Sequence, residues 1–248
     1  ELLGLSQAIY DTKNALNGEQ RLATEKSKDL KLIKGLKDLN KAQLEDVTNK
    51  VNSANTLTEL SQLTQSTLEL NDKMKLLRDK LKTLVNPVKA SLNYRNADYN
   101  LKRQFNKALK EAKGVLNKNS GTNVNINDIQ HLLTQIDNAK DQLNGERRLK
   151  EHQQKSEVFI IKELDILNNA QKAAIINQIR ASKDIKIINQ IVDNAIELND
   201  AMQGLKEHVA QLTATTKDNI EYLNADEDHK LQYDYAINLA NNVLDKEN

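Results

Sequence analysis

The seven residues LNGEQRL at Leu16–Leu22 return, with one change, as LNGERRL at Leu143–Leu149, 127 positions later (143 − 16). Four more stretches return in the same order, now 128 positions on (197 − 69, for one). DLNKAQL from Asp38 matches ILNNAQK from Ile166, and ELNDKM at Glu69–Met74 matches ELNDAM at Glu197–Met202. YRNAD at Tyr94–Asp98 matches YLNAD at Tyr222–Asp226, and GVLNK at Gly114–Lys118 matches NVLDK at Asn242–Lys246. One inserted residue, placed after Leu149, accounts for the change in spacing. The 248 residues are nearly two copies of one long unit, and this repeat limits the fold more than any other feature.

Comparing the copies shows where helices belong. Leu30, Ile33, Leu36 and Leu39 pair with Val158, Ile161, Leu164 and Leu167, and their three-residue spacing predicts one side of a helix. Ala42, Val47 and Val51, paired with Ala170, Ile175 and Ile179, predict a short second helix with Asn40 and Asn168 as N-caps. The third helix is the longest. Its stripe is Leu60, Leu63, Thr67, Leu70, Met74, Leu77, Leu81 and Leu84, repeated as Ile188, Ile191, Ala195, Leu198, Met202, Leu205, Val209 and Leu212. Steps alternating by three and four give a narrow seam for neighbouring helices at a shallow angle. Thr56 with Glu59 reads as a capping box at its start.

Pro87 follows this stripe and either opens a new helix with Asn86 as cap or kinks a continuing one. The second copy has Thr215 there and no breaker, which favours a long continuing helix. From Leu57 to Asn86 it would span about 45 Å at ~1.5 Å per residue. Asp98 and Asp226 then cap a fourth helix carrying Phe105, Ala108, Ala112, Val115 and Leu116, matched by Tyr233, Ala236, Ala240, Val243 and Leu244. Residues 117–125, NKNSGTNVN, form a loop by composition. Ile126, Ile129, Leu132, Leu133, Ile136 and Leu143 mark a final helix, whose earlier counterpart carries Leu2, Leu5, Ile9 and Leu16. The repeat is out of phase: the sequence opens on a unit's last helix and stops inside the next unit.

Composition narrows the function. Lys+Arg number 36 against 35 Asp+Glu, which argues against nucleic-acid binding and against a polybasic membrane anchor. Aromatic residues are 3%, with no Trp and a single Pro, so thin helical bundles fit better than one large core. No cysteine means no disulfide, thiolate ligand or Cys nucleophile. No stretch approaches the roughly 18 apolar residues of a membrane span. A chain opening at Glu1 rather than Met is expected to be part of something longer, so absent targeting signals say nothing of the parent.

Catalytic, cofactor and metal residues are expected to be absent. His131, His152, His208 and His229 stand at no metal-ligand spacing and do not recur between the copies, so they read as solvated helix positions. There is no Gly-rich phosphate loop, GxSxG or HExxH. Carboxylates alternate with lysines, as in EKSKD at Glu25–Asp29, in the manner of a solvated face. LNGEQRL itself has two readings. Glu19 and Arg21, with Glu146 and Arg148, could form an exposed ligand-binding corner. Alternatively Gly18 and Gly145 serve a helix end, tolerating left-handed dihedrals, while Leu16 and Leu22 pack across a junction. The second reading is favoured. Whether the junctions at Gly18, Gly145 and Pro87 bend stays open, as do the ligand-binding residues.

These motifs resemble known modules. NADxxxxxxYDxAI…NxVLDK within Asn224–Lys246, with KxxLNGxxRL at Lys13–Leu22 and Lys140–Leu149, resembles the FIVAR module. LxxLNxAQ at Leu164–Gln171 and AxxLNxAM at Ala195–Met202 resemble the GA module of streptococcal albumin-binding surface proteins. Their unspaced alternation is similar to the giant extracellular-matrix-binding proteins of staphylococci. The resemblance implies an all-α chain of tandem three-helix bundles, joined by long helices that neighbours can share into an elongated rod. It divides the chain at 1–22 (the last helix of a FIVAR-like module), 23–84 (GA-like), 85–149 (FIVAR-like), 150–212 (GA-like) and 213–248 (an incomplete FIVAR-like module). It implies a monomeric, cell-wall-associated segment on a bacterial surface, binding host matrix such as fibronectin. The alternatives are a spacer or envelope-integrity element without a ligand, and serum albumin binding. The recurring GA-like residues Leu39, Asn40, Ala42, Leu70, Asn71 and Met74 are framework positions, which weakens the albumin reading.

Overall fold

A computed structural model describes residues 2–247, and all regular structure among them is α-helical. In chain order the helices are α1 (Leu2–Asn14), α2 (Gly18–Lys34), α3 (Lys41–Ser53), α4 (Leu57–Ala90), α5 (Leu92–Arg95) and α6 (Tyr99–Val115). They continue with α7 (Ile126–Asp141), α8 (Gly145–Glu163), α9 (Asn169–Ala181), α10 (Ile185–Thr215), α11 (Ile220–Leu223) and α12 (Glu227–Leu244). The chain divides into two compact units. One holds the residues through Lys89 with Tyr99–Leu143, the other Ala90–Asp98 with the residues from Asn144 onward. No helix among the described residues is long and apolar enough to cross a membrane.

In the first unit α2, α3 and the start of α4 close around Ile33, Val47, Val51, Ala54 and Leu60. Farther along, α4 buries Met74, Leu77 and Leu81, α6 buries Phe105, Leu109 and Ala112, and α7 buries Ile129, Leu133 and Ile136. Lys80 ties α4 to α7 through Asp137 at 2.5 Å, and Lys73 through Gln130 at 3.1 Å. The expected long stripe thus serves two neighbourhoods in succession. In the second unit α8, α9 and α10 pack around Ile160, Leu167, Ile179, Ile188 and Met202.

Asn40, Asn168 and Asn125 each accept a bond from the N–H three residues on, and that residue's side-chain oxygen accepts in turn from the cap's own backbone N–H, closing three capping boxes. At α4 the box is shifted by one residue: Thr56 accepts from the Glu59 N–H, while the Glu59 carboxylate accepts from Asn55. Asp226 caps α12 through the His229 N–H.

Four expectations need correction. The first-helix stripe does not stay helical to its end, because α2 stops at Lys34 and α8 at Glu163. Leu36, Leu39, Leu164 and Leu167 lie in the following turns, where Leu39 and Leu167 are nevertheless sealed. The inserted residue lies at the end of α8, not just after Leu149. Ile33 and Ile160 are the buried pair, at 1% and 0% exposure, whereas Ile161 is 55% exposed. A longer helix absorbs the insertion without disturbing the core.

Third, the copy lacking proline has the shorter long helix. α4 runs through Pro87 to Ala90, while α10 ends at Thr215, the position equivalent to Pro87. Pro87 removes a single i→i−4 bond in the last turn, and α4 continues past it for three residues, whereas the threonine-rich sequence around Thr215 and Thr216 propagates helix poorly. Fourth, Gly18 and Gly145 open α2 and α8, and no glycine among the described residues has a positive φ. At Gly145 the role is steric, because backbone atoms of the Leu92–Ala97 turn close over it, whereas nothing lies within 4 Å of Gly18.

A polar group steadies the end of the second unit. Lys217 donates to Asp234 at 2.8 Å, Tyr222 donates its hydroxyl to the same carboxylate at 3.0 Å, and the Tyr222 and Tyr233 rings meet edge to face at 5.6 Å. The Lys217 ammonium, with the Tyr222 hydroxyl, holds the Asp234 carboxyl below its ordinary value. A carboxyl lowered in the folded state stabilises above its unfolded value, and that contribution is lost as pH falls through the folded one. Near-UV circular dichroism of the tyrosines is therefore expected to stay flat at neutral pH. It should change only once pH drops below the ordinary carboxylate value of about 4. Asp234→Asn should remove that step.

Candidate functional site

The recurring motifs fit against one another across the bundles. They meet one another in pairs, at three kinds of contact. In the first, Asn71 accepts the Asp38 backbone N–H at 3.0 Å, and Asn199 accepts that of Ile166 at 3.1 Å. The ELND asparagine thereby fixes the turn that ends the preceding helix. Arg78 adds an ion pair with the Asp38 carboxylate.

In the second contact DLNKAQ meets GVLNK. Asn40 is fully buried and donates both amide hydrogens, to the Val115 carbonyl at 3.0 Å and the Thr122 carbonyl at 2.9 Å. Gln43, also fully buried, donates to the Val124 carbonyl at 3.0 Å. The Lys41 N–H reaches the Lys118 carbonyl at 2.8 Å, and the Lys118 ammonium donates to the carbonyls of Leu39 and Lys37. Burial, with the Arg78 charge nearby, pulls the Lys118 pKa below its ordinary value. The second unit repeats the core of this arrangement: Asn168 donates to Val243 at 3.1 Å, and the Asn169 N–H to Lys246 at 3.0 Å. The recurrence of Gln43 as Gln171 is thus explained by capping and, in the first unit, by reach across the contact.

In the third contact YRNAD, on α5 and just beyond it, docks onto LNGERRL. Asn144 accepts the Asp98 N–H at 3.1 Å and donates to its carboxylate at 2.7 Å. Arg148 spans Asp98 at 3.0 Å and the Asn96 carbonyl at 2.7 Å. Asn96, 4% exposed, donates to Lys183 at 3.1 Å and accepts from the Ile185 N–H at 3.0 Å, so one side chain clips the start of α10 as well. The backbone approaches Gly145 so closely that a Cβ there would lie 2.2 Å from the Asn93 carbonyl oxygen. Leu143 and Leu149 are buried beside it. A backbone carbonyl at that distance cannot turn aside like a side chain, so only glycine fits.

The ligand-corner residues separate on this evidence. Arg148 is tied down, whereas Glu19, Arg21 and Glu146 are exposed. A cleft of about 700 Å³ does lie between α2 and α4, lined among others by Asn17, Arg21, Leu57 and Thr64. Its equivalent in the second unit is where α5 sits. The histidines gather no site. His152 pairs with Asn189 at 2.6 Å and His229 with Asp226 at 2.7 Å, and no cluster of metal-ligating side chains occurs among the described residues. Removing the Asn96 clip by Asn96→Ala should cost about 2 kcal/mol. Hydrogen exchange at the start of α10 should rise, with that at α12 unchanged.

The FIVAR domain family matches residues 73–144 and 201–248, and the GA module family matches 19–73 and 148–201. The chain is a tandem of GA and FIVAR modules. The matches meet at residues 73 and 201, inside α4 and α10, so GA and FIVAR modules share a helix at each of these points. The chain is 34% identical over 98% of its length to extracellular matrix-binding protein ebh of Staphylococcus aureus strain MW2. It is 33% identical over the same share to extracellular matrix-binding protein EbhA of strain Newman. It spans only 2% and 7% of those two proteins. A crystal structure of an EbhA domain from S. aureus superposes with a TM-score of 0.70 at 25% identity, covering 76% of this chain and 77% of that one. In module terms, the second contact joins GA helix α3 to the end of FIVAR helix α6, and the third joins a FIVAR turn to GA helix α8.

Proposed function

We propose that the chain is a non-catalytic segment of a very large, cell-wall-associated bacterial surface protein. It works as an extended rod whose modules bind host extracellular matrix weakly and many times over. The observation that carries this reading is the fate of the recurring residues. Asn40, Gln43, Asn71, Asn96 and Arg148 all bond to the chain's own backbone. Residues spent in this way hold modules in fixed succession, which suits a rod. The names of the S. aureus relatives support matrix binding. Weak contacts gain strength through repetition, since linked sites rebind at high effective concentration.

Fibronectin is the matrix ligand to test first, from the resemblance of the motif set. Serum albumin is the second ligand to test, from the resemblance of the GA motifs. A spacer without a ligand is the second reading, favoured because the recurring polar residues named above serve the fold. Soluble chain and bead-displayed chain should be compared for binding to immobilised fibronectin and albumin. The adhesive reading expects weak soluble binding that strengthens about a hundredfold on beads. Absence of binding even on beads would remove it and leave the spacer.

A further inference from the structure

Asn144 is followed by glycine, and an Asn–Gly pair is the one most prone to lose its side-chain nitrogen. The Gly145 nitrogen gives up its proton and attacks the Asn144 side-chain carbonyl carbon. A bond to Gly145 forms, the carboxamide C–N bond breaks, and ammonia leaves with the proton. Water then opens the resulting succinimide at either carbonyl, giving aspartate or isoaspartate. Glycine permits this because no Cβ hinders the approach to its nitrogen. The folded chain holds the reaction off. The Asn144 carboxamide is engaged at both ends, donating to the Asp98 carboxylate at 2.7 Å and accepting the Asp98 N–H at 3.1 Å. Ring closure eclipses Cβ with the Gly145 nitrogen, whereas at the observed ψ of 15° the Asn144 backbone nitrogen lies nearly eclipsed with it. Gly145 itself is buried, with the Leu92–Ala97 turn closed over it, so a base in solvent has poor access to its N–H.

We propose that Asn144–Gly145 is a deamidation site silenced by the docked Leu92–Ala97 turn, and that deamidation during an opening of the turn keeps the contact from closing as before. The product fits the contact badly. A carboxylate cannot donate, so the 2.7 Å bond to Asp98 becomes a confrontation of two carboxylates. Arg148, which pairs with Asp98 at 3.0 Å, balances one of the two charges. The start of α8 favours an anion, yet the Asn144 side chain makes no capping bond there, and this does not offset the lost donor. Isoaspartate fits worse still, since it adds a methylene to the backbone at the closest approach of α5 and α8. A brief opening is thereby converted into a lasting one. Asn96, which clips the start of α10 from the same turn, is loosened with it.

Peptide mapping by mass spectrometry, after incubation in mildly alkaline buffer, tests this on the whole chain and separates Asn144 from Asn17, which glycine also follows. Conversion at Asn144 should be at least about a hundredfold slower in the folded chain than in denaturant, since it tracks the open population. Asn96→Ala, which loosens the turn without replacing Asn144, should speed conversion in the folded chain at least about tenfold. Asn144→Asp copies one product directly. It should keep the helical signal and raise amide exchange at residues 91–98 and at the start of α10 at least about tenfold. Equal rates in the folded and denatured chain would overturn the proposal, as would no conversion in denaturant or an unchanged rate in Asn96→Ala. Unchanged exchange in Asn144→Asp would overturn the lasting opening.

Discussion

Gly145→Val is expected to open the contact between α5 and α8, at a cost of about 3 kcal/mol. The new Cβ would stand 2.2 Å from the Asn93 carbonyl oxygen, 2.6 Å from the Ala97 nitrogen and 2.7 Å from the Leu92 carbonyl oxygen. All three are backbone atoms in one tight turn, so relief requires the turn to withdraw as a body. Withdrawal strands the Asn144–Asp98 and Arg148–Asn96 bonds and uncovers Asn96. The same substitution at Gly18 meets nothing within 4 Å and is expected to change stability by less than about 0.5 kcal/mol. The two glycines stand in nearly identical heptapeptides, so a difference between them isolates the contact from helix propensity. Denaturant titration of each variant, with hydrogen exchange to place the loss at residues 91–98 and 145–149, supplies the comparison. Equal effects at both positions would mean that the glycine serves the helix start.

Asn40→Ala should be comparably severe, at about 3 kcal/mol. Its carboxamide closes the α3 capping box and gives both hydrogens to carbonyls of Val115 and Thr122, in a site with no exposure. Alanine leaves both carbonyls and the Gln43 N–H short of a partner, and unsatisfied buried groups are more costly than the bonds were worth. Asn168→Ala should cost about half as much, because Asn168 has a single such carbonyl partner in Val243 and is 6% exposed. Chains of modules do not unfold in one step, so amide exchange in α3 and at residues 115–124, read separately from α9, is the suitable measurement.

Much of the fold is legible in the sequence because the repeat supplies an internal comparison. The N-caps at Asn40 and Asn168 and the long seam of α4 follow from spacing and side-chain chemistry alone. The turn holding Leu36 and Leu39 does not, since three-residue spacing cannot distinguish a helix from a turn that keeps the same face inward. What ends that helix lies 33 residues away, where Asn71 takes the Asp38 N–H. The contacts between motifs were hidden for the same reason. LNGERRL advertises a glycine, and a glycine is ambiguous between unusual dihedrals and close approach until the approaching backbone is seen. The register of α2 against α8 is ambiguous in the sequence because Ile160 and Ile161 are both isoleucine, and burial alone tells them apart.

Small-angle scattering of the dilute chain tests most directly the extended rod proposed above. A compact globule of this length would have a radius of gyration near 18 Å. The account predicts a value well above that, with the intensity profile of an elongated particle and no change on further dilution. A radius of about 18 Å would contradict it.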